Sequence, residues 1–162
     1  MNAKDVIKST SQQCREITRQ YVNDLNDADL MIRSVPGTNH IAWQLGHLIS
    51  SEQWMLSQLG HKLPPLPDGF EAAYTKETST SDDPRKFHMK SEYLALMKKS
   101  ETATLAAIDA TPDADLDKPG PEPMREYAAT VGAALGLLGI HWMMHAGQFV
   151  PVRRKLGRPP LF

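Results

Sequence analysis

The sequence predicts an all-α fold, a four-helix bundle with long connections in which residues 1–162 make one domain. Three observations lead there. Apolar residues recur at helical spacing in four separate stretches. Proline-rich or polar segments divide those stretches. The last stretch carries no Asp, Glu, Lys or Arg from Tyr127 to Val152, the mark of a helix surrounded by others. Amphipathic helices packed around one core are the layer arrangement such a pattern allows, and a chain of 162 residues can bury roughly 70% of its unfolded surface without disulfides.

The first helix is predicted from about Asn2 to Leu25. Ile7, Cys14, Ile17, Tyr21 and Leu25 share one face, and Lys4, Lys8, Gln12, Arg15 and Arg19 make a solvated side. Asn26-Asp-Ala-Asp29 ends it, and Pro36-Gly37 forms a turn. Thr38 or Asn39 caps the second helix, which runs to Leu59 and stops at Gly60. Ile41, Leu45, Leu48, Met55 and Leu59 supply its core. Trp43, His47, Ser50 and Trp54 follow a neighbouring stripe, which places a histidine between two tryptophans. Residues 61–83 read as a long connection lying across one end of the bundle as a partial lid, with Phe70 and Tyr74 as its anchors and disorder over Lys76–Asp82 as the competing reading.

Asp82 or Asp83 before Pro84 predicts the start of the third helix, which continues to Asp109 with Phe87, Leu94, Met97, Leu105 and Ile108 inward. After a second proline-rich connection, the fourth helix begins between Glu126 and Val131 and reaches Leu156. Gly132, Gly136 and Gly139 allow close approach of another backbone, Pro151 predicts a kink, and Gly157 with Pro159-Pro160 ends the helix. His40, His61 and His88 sit at helix ends and are expected at the surface.

Composition excludes several classes. With 18 basic and 19 acidic residues spread along the chain, the net charge is −1, and no nucleic-acid footprint or polybasic membrane patch is present. The basic cluster Arg153, Arg154, Lys155 and Arg158 is read as a solvated helix end. The uncharged run is long enough to cross a bilayer, but His141, His145, Gln148 and Pro151 lie inside it, and each polar group at that depth costs a few kcal/mol. No membrane is expected as a partner. Cys14 is the only cysteine and falls on an apolar face, which predicts an inert buried thiol. The N-terminal segment lacks an apolar signal region, so a cytoplasmic, reducing location is expected.

The chemistry concentrates in Gly139-Ile-His-Trp-Met-Met-His-Ala-Gly-Gln148. His141 and His145 are one helical turn apart and share a face, so both imidazoles can reach one ion. His47 is the other histidine placed in an apolar helical middle, and bundle interiors build metal sites from facing helices. Three histidines would leave positions open for water or substrate. The pair alone occurs on many helices, and Trp142 stands where the glutamate of the H-E-x-x-H motif would be. Two unrelated core histidines remain the competing reading, although each buried imidazole would then need its own partner.

Asn39-His-Ile-Ala-Trp-Gln-Leu-Gly-His47 resembles the N-x-I-A-W-x-x-G-H segment of the DinB/YfiT-like superfamily, and His141-Trp-Met-Met-His-Ala-Gly-Gln148, with Arg154-Lys-Leu-Gly157 and Pro159-Pro160, resembles its H-x-x-x-H-x-G-Q…L-G-x-P-P ending. The resemblance implies a four-helix bundle, commonly a homodimer, with His47, His141 and His145 as ligands of a divalent metal, zinc or nickel foremost. A thiol-dependent isomerase branch has glutamate where His141 stands, so the likeness is to the three-histidine branch. Ala146 replaces an arginine of many relatives, which removes an anion contact there.

Three functions follow as expectations. Characterised members of the family resemble S-transferases, in which a metal stabilises a low-molecular-weight thiolate for attack on an electrophile. The catalytic residues are not assigned, and Trp43, Trp54, Phe70, Tyr74 and Gln148 are the candidates for lining the small-molecule pocket. A metal-dependent hydrolase would need a general base, and Glu52 lies roughly 140° from the helical face of His47. A non-catalytic, metal-stabilised bundle is the third.

Overall fold

The computed structural model describes residues 1–159 and 161. Among them are six α-helices and no strand. Helix α1 (Ala3–Asn23) opens with a reciprocal cap: Asn2 accepts the Asp5 N–H and Asp5 accepts the Asn2 N–H. Asn26 and Asp29 repeat that cap at the start of α2 (Asp27–Leu30). The quartet predicted to end the first helix therefore begins another, one turn long.

Helix α3 (Ile41–Gln58) is capped by His40, whose Nδ1 accepts the Trp43 N–H at 3.0 Å. His40 is fully buried rather than exposed, and its ring packs on Phe87. With Nδ1 an acceptor, Nε2 carries the proton and faces the Ser81 carbonyl at 3.1 Å. Burial pushes its pKa down to about 4. After Gly60, in the left-handed region at φ +82°, the long connection crosses to the other elements. It contains α4 (Phe70–Ala73) and a 3₁₀ turn over Lys76–Thr80.

The connection is pinned to the start of α3. The Trp43 indole N–H donates to the Thr75 carbonyl and Thr78 Oγ1, and Arg33 donates to the Ser79 and Ser81 carbonyls. Phe70 and Tyr74 are buried against the bundle.

Helix α5 (Lys90–Ala110) starts later than predicted. Asp83 and Pro84 initiate only a 3₁₀ turn through Lys86, and Phe87 is extended. Extended backbone sends Phe87 toward His40 and His88 toward Phe70 and Tyr74, contacts that a helix through these positions would turn apart. His88 is accordingly half-buried, with Nδ1 2.7 Å from the Tyr74 hydroxyl, and His61 is half-buried too. Helix α6 (Val131–Lys155) is capped by Thr130 and continues through Pro151. It closes at Gly157 (φ +68°), where the Gly157 and Arg158 N–H groups satisfy the last carbonyls. Of the two prolines expected to follow, Pro160 lies outside the described residues.

The four long helices form a closed ring in the order α1, α6, α3, α5. Helices α1 and α6 pack most extensively, while α1 and α3, consecutive long helices in sequence, lie across the diagonal. Diagonal partners need long connections, which accounts for the irregular segments between α1 and α3 and between α5 and α6. Gly139 sets the α1–α6 approach: a Cβ there would lie 2.8 Å from the Ser11 Cα.

A polar cluster sits where the four helices meet. Arg15, predicted on the solvated face, is fully buried and paired with Glu52 across the diagonal. Its guanidinium also donates to Ser11 and Thr104, and Glu52 accepts from Ser100 (2.6 Å), Thr104 and the Trp142 indole (3.1 Å). The partner on α3 is what turns Arg15 inward, since a buried charge needs a counter-charge and hydrogen bonds. Arg153 is also buried rather than solvated. It donates to the Tyr21 carbonyl and to Asp24, whose pKa it lowers, and so ties the end of α6 to the end of α1.

Candidate metal centre

Helices α3 and α6 are neighbours in the ring, and each turns a histidine-bearing face toward the other. His47 projects from the middle of α3, while His141 and His145 project from successive turns of α6. Ring centroids are 5.4 Å apart for His47 and His141, 5.3 Å for His47 and His145, and 4.9 Å for His141 and His145. One nitrogen from each ring lies within 4.8 Å of the others, so the three side chains could hold a metal ion.

All three rings have depressed pKa values. Burial is the main cause for each, bringing His141 to about 4 and His145 to about 3, with the neighbouring imidazoles adding repulsion in those two; His47 is lowered by burial alone. At neutral pH they are uncharged, the state in which imidazole donates a lone pair to a metal.

Hydrogen bonds orient the donors. His145 Nδ1 is 2.8 Å from Gln44 Oε1, and the same amide uses its Nε2 to donate to the Asn39 carbonyl at 2.8 Å. That second bond fixes which amide atom faces His145. His145 therefore donates from Nδ1 and keeps Nε2 free as a ligand atom, the tautomer-fixing arrangement of metal-binding histidines. His47 stacks on Trp43 at 4.8 Å and 7°, and its Nε2 lies 3.5 Å from the Ser51 hydroxyl. His141 has no hydrogen-bond partner among the described residues. Neutral donors with free nitrogens, one oriented by an amide, fit a borderline divalent ion.

Two clefts meet at His47. The larger, about 590 Å³, is lined by His47, His141, Ser51, Trp54, Met55, Met124, Tyr127, Leu137 and Met144, with Pro123 at its edge. It contains no charged side chain. The smaller, about 260 Å³, lies toward α4 and is lined by His47, Ser50, Ser51, Trp54, Glu71 and Tyr74. Trp54 belongs to both. Gly46 gives Tyr74 its place beside this second cleft, because a methyl at Gly46 would fall within the Tyr74 ring.

Of the pocket candidates read from the sequence, Trp54 lines both clefts and Tyr74 the smaller. Trp43 braces His47 from behind. Phe70 is buried in the core, and Gln148 is exposed and lines neither cleft. Glu52 is held in the Arg15 cluster. Gln44 and Glu71 escaped the sequence reading. Gln44 carried a weak signal, a polar residue one turn before His47 in an apolar segment, whereas nothing about Glu71 in an irregular connection pointed to a site.

The fold and the three converging imidazoles define a helical bundle protein with a histidine group that could hold a metal ion. The chain belongs to the DinB superfamily, whose sequence profile matches residues 11–149. Among solved structures it is similar to a conserved protein from Enterococcus faecalis, with 17% identity, a TM-score of 0.76, and coverage of 98% of this chain and 99% of that one. It is also similar to YfiT from Bacillus subtilis, described as a probable metal-dependent hydrolase with an unusual four-helix bundle topology. That match has 20% identity and a TM-score of 0.65, and covers 96% of this chain and 89% of YfiT. No curated protein matches. Among the described residues no helix is long and apolar enough to cross a membrane.

Proposed function

We propose that this chain binds one divalent metal, zinc or nickel, through His47, His141 and His145, and joins a low-molecular-weight thiol to an apolar electrophile. One observation carries the reading: three neutral imidazoles converge, and two of them, His47 and His141, open onto a large apolar cleft free of charged side chains. A metal held by His47, His141 and His145 would supply Lewis acidity, lowering the pKa of a thiol so that a thiolate nucleophile is available at neutral pH. The protein's own part is to keep the imidazoles neutral, to fix the His145 tautomer through Gln44, and to hold the electrophile against Trp54, Leu137 and Met144. Cys14 is buried and needs no role in transfer.

The test uses protein purified without a histidine tag, with metal content measured by mass spectrometry, and turnover of N-acetylcysteamine with chlorodinitrobenzene. The expected result is about one ion per chain and a rate above the uncatalysed reaction, both lost in His47→Ala and His145→Ala. Unchanged metal binding in His47→Ala would end the three-histidine assignment. Stoichiometric metal without turnover would favour a binding role.

A hydrolytic reading has one observation in its favour. Glu71 shares the smaller cleft with His47 and is placed where a general base could serve a water molecule. Hydrolysis of p-nitrophenyl acetate that depends on metal and is lost in Glu71→Gln would support it over thiol transfer.

A further inference from the structure

The two clefts differ in chemistry although they share His47, Ser51 and Trp54. The larger has apolar walls and no charge. The smaller holds an exposed carboxylate, Glu71, that forms no ion pair among the described residues, and on its α3 side Ser50, whose buried Oγ has no hydrogen-bond partner. A serine hydroxyl in a helix ordinarily bonds to the carbonyl one turn back. Leaving this one unpaired within a cleft wall is a cost that a donor would remove if the side chain turned to meet it.

We infer that the smaller cleft is a subsite for a primary ammonium group on a short aliphatic ligand whose other end sits among the histidines. An ammonium offers three donors and no acceptor; the cleft offers the unpaired Glu71 carboxylate, and Ser50 Oγ, sealed within the wall, is a second unfilled acceptor that a turn of its side chain would present. At about 260 Å³ the space admits a short aliphatic amine. The Tyr74 hydroxyl does not compete, because it is engaged with His88 and Tyr93. The proposal rests on the aminothiol form of the function above: the ammonium anchors in the small cleft, the sulfur lies at the histidines, and the electrophile approaches from the large cleft.

Two ligand pairs test it on the zinc-loaded protein, with affinities measured by calorimetry. Glycine hydroxamate against acetohydroxamate probes the subsite through a metal-binding group unrelated to thiol transfer. Cysteamine against N-acetylcysteamine probes the thiol. Wild type should favour the ammonium-bearing member of each pair by about fivefold, the scale of one partly exposed ion pair. Glu71→Gln should remove that preference without changing metal stoichiometry, and Ser50→Ala should reduce it. Equal affinities in the wild type, or a preference that survives Glu71→Gln, would overturn the subsite. A preference in the hydroxamate pair with neither thiol binding would uphold the subsite and remove the thiol function. Loss of ester turnover in Glu71→Gln with both preferences intact would make Glu71 a base and overturn the inference.

Discussion

Gln44 shows how one amide can decide what a histidine does. Its two hydrogen bonds run in opposite senses, accepting from His145 and donating to Asn39. Only the Nε2 lone pair of His145 is then left for a ligand. Gln44→Ala is expected to weaken metal binding by about 10- to 100-fold, the usual scale for losing an orienting partner, while leaving the helices intact. Competition with a chelator of known affinity, alongside circular dichroism, checks both parts. The three histidines themselves were legible in the sequence, because spacing on one helix and apolar surroundings on another are local properties. Gln44 was not, since its value depends on which helix lies opposite. Arg15 was misread for the same reason: beside lysines on a helix it looks solvated, and only Glu52, brought in from α3, makes it a core residue.

At the level of elements, helix α6 carries glycines with unlike roles. A side chain at Gly139 would meet the backbone of Ser11, so Gly139→Leu must push α1 away and should cost about 1–3 kcal/mol. A Cβ at Gly136 meets nothing within 4 Å, and Gly136→Ala should gain about 0.5–1 kcal/mol from helix propensity. Urea denaturation of the two variants should move in opposite directions. The sequence predicted close approach at both positions, and periodicity cannot separate them because only the neighbour's distance does. The start of α5 was missed for a related reason. Asp83-Pro84 is a sound local start signal, but packing of Phe87 and His88 against His40, Phe70 and Tyr74 holds the chain extended and delays the helix.

Across the whole molecule, the four-helix arrangement followed from four periodic stretches, whereas their order around the ring did not. Two features of that order are measurable. Arg15 and Glu52 join helices across the diagonal, and removing one partner leaves a buried charge. Arg15→Met is expected to lose about 3–5 kcal/mol, and Arg15→Met with Glu52→Leu to lose less, as a double-mutant cycle in urea would show.

The second feature is acid sensitivity. His40, His141 and His145 have folded-state values of about 4, 4 and 3, while in the unfolded chain each titrates near 6.5. As pH falls from about 6.5 toward 4, the unfolded chain takes up protons that the fold refuses. Stability is therefore full above about 6.5, declines through that window, and levels off below it. Each such group removes about 1.4 kcal/mol per pH unit within the window. Metal-free protein should show a melting temperature that drops between pH 7 and pH 5. Metal on the folded protein should survive that range and be released only as pH approaches about 4, where the folded imidazoles become protonated.

The pairing of α1 with α6 also bears on how the chain is made. Synthesis delivers α1 before α6, yet these two helices share the largest contact, and His141 and His145 ride on α6. Until α6 emerges from the ribosome, α1 faces water along the surface that α6 will cover, with Gly139 against Ser11. Its closure waits on contacts between distant parts of the chain, which slows folding relative to a bundle of sequential neighbours. A nascent chain stalled before Val131 is thus an open three-helix assembly, dependent on its surroundings to avoid aggregation.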